Sequence, residues 1–204
     1  MQISFDLDGV LANFEENAAR VINARYPGKI PDGYRPTNWN WTDVMTIEDW
    51  NQLWKDVETV DSFWLRQWSY PAAVVTLQDF LDDYPEIRVH FLTARKHPSI
   101  GRDIHSQTFT WLWRHGLGQW NHNIALNVVE NPEQKIPYIS GEGINFHIDD
   151  KPETVAACND IAGHRAYLLD QPWNQNSTEP RVHSVAEFLG IVEEAHRCAL
   201  TLND

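Results

Sequence analysis

Carboxylates in short ordered groups are the first chemical feature of this chain. Asp6 and Asp8 flank one residue beside Gly9, and Asp149 and Asp150 are adjacent. Between these pairs lie Thr93, in Phe91-Leu92-Thr93-Ala94-Arg95, and Lys135. Three or four carboxylates brought together repel unless a cation sits between them. Oxygen-only ligands select a hard ion, with magnesium the best match. One carboxylate of the first pair can attack phosphorus and form an aspartyl-phosphate. The other can protonate the leaving oxygen, then deprotonate the hydrolytic water. A Thr hydroxyl and a Lys ammonium can hold phosphoryl oxygens. Gly9 permits a tight turn beside them.

These residues act together only if the fold gathers them. Residues 3–5 read as a buried strand that ends at Asp6. Phe14, Ala18, Val21 and Ile22 then fall at helical spacing, with Pro27-Gly28 as the stop. Residues 28–42 read as loop, and the aromatic, acidic stretch 42–68 as one or two short helices. Pro71 opens an amphipathic helix that ends near Tyr84-Pro85. Strands follow at 87–92, 124–129, 144–148 and 165–169, with helices at 100–115 and 152–160. Ser184 opens a last helix, with Glu187 completing a capping box. Five short apolar strands alternating with helices predict an α/β three-layer sandwich around a mostly parallel sheet. The carboxyl ends of such strands converge on one cleft, and the chemical residues follow those ends. Residues 15–70 are too many for a simple crossover. They are expected to form a helical insertion over the cleft, leaving 1–14 and 71–204 as the core domain.

Composition narrows the partners. The 204 residues are 42% hydrophobic and 22% charged, as in an ordinary globular chain. A formal charge of −13 argues against polymeric nucleic acid as a partner. It leaves room for a small anion in a cation-neutralised pocket. No stretch has the length and apolarity of a membrane span. The opening Met1–Asp6 carries no basic n-region, and two cysteines, Cys158 and Cys198, make no disulfide framework. A cytoplasmic location is therefore expected. Six of the ten tryptophans lie between Trp39 and Trp68.

Asp6-Leu7-Asp8-Gly9-Val10-Leu11, Phe91-Leu92-Thr93-Ala94-Arg95, Lys135 and Ile148-Asp149-Asp150 resemble, in order, the four motifs of the haloacid dehalogenase (HAD) superfamily of phosphatases. The resemblance implies a HAD-like Rossmannoid sandwich with five core strands and an inserted helical C1 cap. It makes Asp6 the nucleophile and Asp8 the general acid/base. It places Mg²⁺ on Asp6, the backbone carbonyl of Asp8, and Asp149, with Asp150 behind them or acting through water. Thr93, Ala94 and Lys135 would bind phosphate. Three further stretches resemble the 5′(3′)-deoxyribonucleotidases of the cytosolic type C group. They are Asp8-Gly9-Val10-Leu11-Ala12-Asn13-Phe14, Ser62-Phe63-Trp64-Leu65, and Tyr167-Leu168-Leu169-Asp170-Gln171-Pro172-Trp173-Asn174. That group implies hydrolysis of a nucleoside monophosphate, stacking of its base on Phe14, and a homodimer. The second motif departs from the group, with Ala94-Arg95 after the Thr where a hydroxyl residue and a proline are usual.

Simpler readings stand beside these. Lys135 could be a solvated lysine, with Lys151 the rival motif lysine; Lys151 is expected to pair with nearby carboxylates. Arg95 and Lys96 either extend the substrate site or lie on the surface. Most cap tryptophans are expected to be core, with Phe14 and Trp64 lining the cleft. The histidines and both cysteines read as structural. Three alternatives remain for the activity: another small ester such as a sugar phosphate, transfer to an acceptor other than water, or a catalytically silent binding protein.

Overall fold

The computed structural model describes residues 1–119 and 122–201. Strand β1 (Gln2–Phe5) is the centre of a parallel sheet. Beyond it on one side lie β4 (Arg88–Ala94) and β5 (Ile124–Val129). On the other lie β6 (Phe146–Asp149), β7 (Arg165–Leu169) and β8 (Arg181–Val182). The sheet thus has six strands, not five. The sixth is a two-residue strand that pairs Leu168 with Arg181 and Leu169 with Val182. Two residues carry no periodicity, so the sequence pattern does not reveal it.

Strand alternation sorts the layers. Ile3, Phe5, Val89, Phe91, Phe146 and Ile148 share one hydrophobic cluster with side chains of α3 (Pro71–Asp83), α4 (Ile104–Arg114) and α7 (Val185–Thr201). Leu92, Ala166 and Leu168 join Ile139 and Val155 on the other face, beneath α5 (Lys135–Glu142) and α6 (Pro152–Asn159). Ser4 has His90 and His147 as its register partners on its two neighbouring strands. All three are buried, so the centre of the sheet carries a polar row.

Several expected boundaries shift. Helix α4 begins at Ile104 because Asp103 caps it, accepting from Ser106 N at 2.9 Å. Thr93 and Ala94 continue β4 instead of following it. Helix α5 has no counterpart in the periodicity reading: Pro137 and Gly141 mask eight residues of helix.

A third cluster belongs to the stretch between β1 and α3. Helices α1 (Phe14–Arg25) and α2 (Ile47–Thr59) supply Phe14, Ala18, Ile22, Trp50, Leu53 and Val57. Thr46 and Asp49 form a reciprocal capping box that starts α2. The connecting loop adds Ile30, Trp41 and Met45, and a short 3₁₀ turn at Trp64–Arg66 adds Trp64. This stretch is tied to the sheet by a two-stranded antiparallel ribbon, β2 (Ala12–Asn13) with β3 (Trp68–Ser69). Between β1 and β2 a single tight turn folds back on one carbonyl: Leu7 O accepts from Leu11 N at 2.8 Å and Ala12 N at 2.7 Å. No helix among the described residues is long and apolar enough to cross a membrane.

Candidate active site

The carboxyl ends of β1 and β6 lie side by side, and Asp6 N donates to Ile148 O at 2.9 Å. That pairing brings Asp6 next to Asp149 and Asp150. Each of the three offers an oxygen within 4.8 Å of the others, and all three are buried. Lys135, the first residue of α5, reaches into this group from the α5 face. Its Nζ lies 2.7 Å from Asp149 Oδ2 and 3.0 Å from Asp6 Oδ1. Lys135 is therefore a buried ion-pair partner and not a solvated lysine. Lys151 does not pair with carboxylates as expected: its ammonium lies 5.8 Å from the centre of the Trp39 ring.

Burial and charge compete at each carboxylate. Burial raises Asp6 to about 7 despite the Lys135 ammonium. Burial, then the charges of Asp149 and Asp6, push Asp150 well above the ordinary carboxylate value. Burial acts on Asp149 as well, but Lys135 and His147 outweigh it and hold this carboxyl below the usual range. Lys135 is raised above an ordinary lysine because both aspartates outweigh its burial. One ammonium thus faces three carboxyls. Asp150 Oδ1 has no hydrogen-bond donor, and neither does Asp6 Oδ1, whose contact with Lys135 lies outside hydrogen-bond geometry. An all-oxygen set of buried, under-neutralised carboxylates fits a hard divalent cation.

The surroundings fix these groups in place. Burial lowers the pKa of His147 and so favours its neutral form, against the pull of Asp149. Its Nε2 lies 3.1 Å from Asp149 Oδ2 and its Nδ1 2.7 Å from Ser4 Oγ. Asp149 only accepts, so Nε2–H donates to it and the Ser4 hydroxyl donates to Nδ1. Trp173 Nε1 donates to Asp150 Oδ2 at 2.9 Å, and Asn174 Nδ2 to the Asp150 carbonyl at 2.9 Å. Gln171 Nε2 donates to the Gly9 carbonyl at 2.6 Å. Gly9 has φ of 81°, and a Cβ there would strike Asp150 Oδ2, so only glycine fits.

Asp8 is held apart from the trio. Its carboxylate accepts from Thr93 Oγ1 at 3.2 Å and from Arg95 at 2.8 and 2.9 Å. Arg95, expected at the substrate or on the surface, is fully buried and does not lie on the surface, and it is not among the residues lining the cavity. Thr93 is also buried, and its hydroxyl is turned to Asp8.

Above the carboxylates lies a cavity of about 70 Å³. Its floor is Asp6, Asp8, Gly9, Lys135, Asp149 and Asp150, with Ala94 at the side. Its walls include Phe14 and Trp64, as expected, and also Trp39, Trp41, Trp50, Trp54 and Trp173. Phe14 stacks on Trp54 at 5.5 Å and on Trp64 at 6.3 Å. Of the tryptophans expected in the core of the insertion, Trp41 and Trp50 are buried in it and Trp54 packs against it, and all three also wall the cavity; Trp39 is exposed and outside that core, and Trp68 is exposed and lies off the cavity. Glu15 lines the same cavity, and Tyr70 Oη donates to it at 2.8 Å. His147, Trp173 and Glu15 also stand at this cluster without being expected there. Trp173 lies in a stretch the sequence reading singles out, His147 has only its period-two spacing from Asp149, and Glu15 carries no local signal.

The fold matches haloacid dehalogenase-type hydrolases along nearly its full length. A haloacid dehalogenase-like family hydrolase from Streptococcus pneumoniae superposes with a TM-score of 0.59 at 11% identity, covering 94% of this chain and 97% of that one. A HAD-superfamily hydrolase of subfamily IA from Geobacter sulfurreducens gives 0.55 at 15% identity, covering 93% and 98%. An L-2-haloacid dehalogenase from Xanthobacter autotrophicus, with chloropropionic acid covalently bound, gives 0.55 at 11%, covering 94% and 98%. At 11–15% identity these likenesses show a shared fold, the haloacid dehalogenase-like one. No curated protein sequence matches the chain. Residues 1–197 match the model of the family "5′ nucleotidase, deoxy (Pyrimidine), cytosolic type C protein". The chain belongs to that family and is a phosphatase, a hydrolase of the 5′-nucleotidase type.

Proposed function

We propose that this enzyme is a cytoplasmic, magnesium-dependent phosphatase that hydrolyses ribo- or deoxyribonucleoside monophosphates to nucleoside and phosphate. One observation carries the reading: a buried carboxylate–lysine floor lies directly beneath a wall of aromatic rings. The floor suits phosphoryl transfer, and the rings suit a flat heteroaromatic leaving group.

In this reading the Asp6 carboxylate attacks phosphorus and the ester P–O bond breaks. Asp8 gives its proton to the departing nucleoside oxygen. Asp8 then takes a proton from water, whose oxygen attacks the aspartyl-phosphate and releases phosphate and free Asp6. Lys135 offsets the charge of Asp6 and of the phosphoryl oxygens. Ala94 lines the phosphate end, and Thr93 supports it by holding Asp8. Asp6, Asp149 and the Asp8 carbonyl would hold Mg²⁺, with Asp150 close enough to ligate directly. Bound there, the ion lowers the repulsion between nucleophile and phosphoryl group.

In this reading the aromatic wall closes over the substrate before reaction and keeps bulk water out. The ribbon β2–β3 is the natural place for that movement, being two residues wide. The deciding experiment is phosphate release from ribo- and deoxyribonucleoside monophosphates, sugar phosphates and an aryl phosphate, with and without Mg²⁺. Release concentrated on nucleotides and lost with EDTA is the expected result. Turnover of sugar phosphates alone would sink the substrate assignment.

A further inference from the structure

Resting on the phosphatase reading above, we propose that Arg95 is a positioning residue for Asp8, and that Trp64 and Gln67 hold Arg95 in the orientation this needs. Arg95 Nε donates to Asp8 Oδ2 at 2.8 Å and Nη2 to Asp8 Oδ1 at 2.9 Å. This is the two-pronged geometry in which a guanidinium fixes the plane of a carboxylate as well as its charge. Thr93 Oγ1 adds a third donor. The Asp8 carboxylate is thereby fixed in direction, as proton transfer to a leaving oxygen requires.

Arg95 is in turn held from two sides. From the core, Thr108 Oγ1 on α4 accepts from Nη1 at 2.9 Å. From the stretch leading into β3, Gln67 Oε1 accepts from Nη2 at 2.8 Å, and the Trp64 ring covers the guanidinium at 4.9 Å. Trp64 is itself anchored, its Nε1 donating to Lys96 O at 2.9 Å, and it also lines the cavity. Gln67 is fastened by Trp111 Nε1, which donates to its carbonyl at 2.9 Å. Trp64 and Gln67 are thus themselves bonded to the core, so Arg95 is clamped on every side and Asp8 is aimed by a fixed framework.

The test is the dependence of kcat/KM on the leaving group. This constant reports steps up to departure of the alcohol, and is blind to later hydrolysis of the aspartyl-phosphate. Wild type, Arg95→Lys and Arg95→Gln are compared on a nucleoside 5′-monophosphate and on aryl phosphates graded from phenyl to 4-nitrophenyl. Nitrophenolate leaves without a proton, so it does not need an aimed acid. Both variants are expected to lose about 30-fold or more on the nucleotide and about threefold or less on 4-nitrophenyl phosphate. Losses should rise steadily as the leaving group becomes less acidic. Gln67→Leu should show the same slope, more weakly. Should Arg95→Gln fail to fold, Arg95→Lys decides, since it keeps the charge and loses the fork. Equal losses on every ester by Arg95→Lys would overturn the proposal alone. Absence of turnover of any ester by wild type would overturn the functional reading and this proposal with it.

Discussion

The floor and the roof of the cavity are built on opposite terms. Floor residues sit at the ends of central strands and at the first turn of α5, and most of their polar atoms have a partner. Asp149 alone faces Lys135, His147 and the Lys151 amide. The roof comes from helices α1 and α2, the loop between them and the 3₁₀ turn at Trp64, packed into a cluster of their own and joined to the sheet by two-residue strands, with Trp173 added from a turn after β7. Its rings touch one another without directional bonds to the floor, apart from Trp173 on Asp150. In the proposed reaction the chemistry would rest on the strand ends, while contact with the leaving group would rest on a separately packed aromatic shell.

The largest effect should come from the floor. Asp6→Asn is expected to lower phosphate release by about 10⁴-fold or more, since no other carboxylate can attack from that position. Its melting temperature should hold or rise, because a buried repulsion is removed; a fall in stability matching the loss of activity would break the contrast. Lys135→Met should lower both. Removing the shared ammonium leaves Asp6 and Asp149 unpaired, costing about 3–5 kcal/mol in denaturant titration of the metal-free protein. A cost near zero would show that the floor is not held by this ion pair.

Glu15 marks the seam between the two regions. Burial raises its carboxyl from 4.5 to about 7, against the Tyr70 hydrogen bond. Between those values the folded state holds a proton that the unfolded state has released, so stability falls as pH rises through this window and stays lowered above it. Glu15→Gln keeps an acceptor for Tyr70 and removes the charge. At pH 8 it should stabilise the metal-free protein by about 1–2 kcal/mol, a figure reduced for partial solvent access, and the gain should fade toward pH 4. A gain independent of pH would assign it to packing. The smallest effect is expected in the roof. Trp54→Leu removes the ring stacked on Phe14 and should raise KM for a nucleotide about three- to tenfold. The kcat for an aryl phosphate should stay within about twofold. A large kcat loss would mean that the roof orders the floor.

Much of the floor was legible in advance. Asp6 and Asp149 each end a short apolar strand, and parallel strands bring such ends together. The lysine was legible as a residue but not as an element, because Pro137 and Gly141 hide helix α5. The position of Arg95 was missed for a different reason. Nothing in Thr93-Ala94-Arg95 says that the guanidinium turns toward Asp8, 87 residues earlier in the chain. His147 shows the same limit: its period-two spacing from Asp149 marks a shared face, but its partner Ser4 lies on another strand.

By itself, the sequence determined the alternation of strands and helices, the ends at which the carboxylates stand, and the aromatic richness of the insertion. These are local properties, set by periodicity, turn chemistry and composition. Tertiary structure alone decided that Lys135 is buried between two aspartates, that seven rings close over them, and that Arg95 holds Asp8. Each of those depends on the direction of side chains brought together from distant segments, where burial makes every unpaired charge costly and so selects one partner.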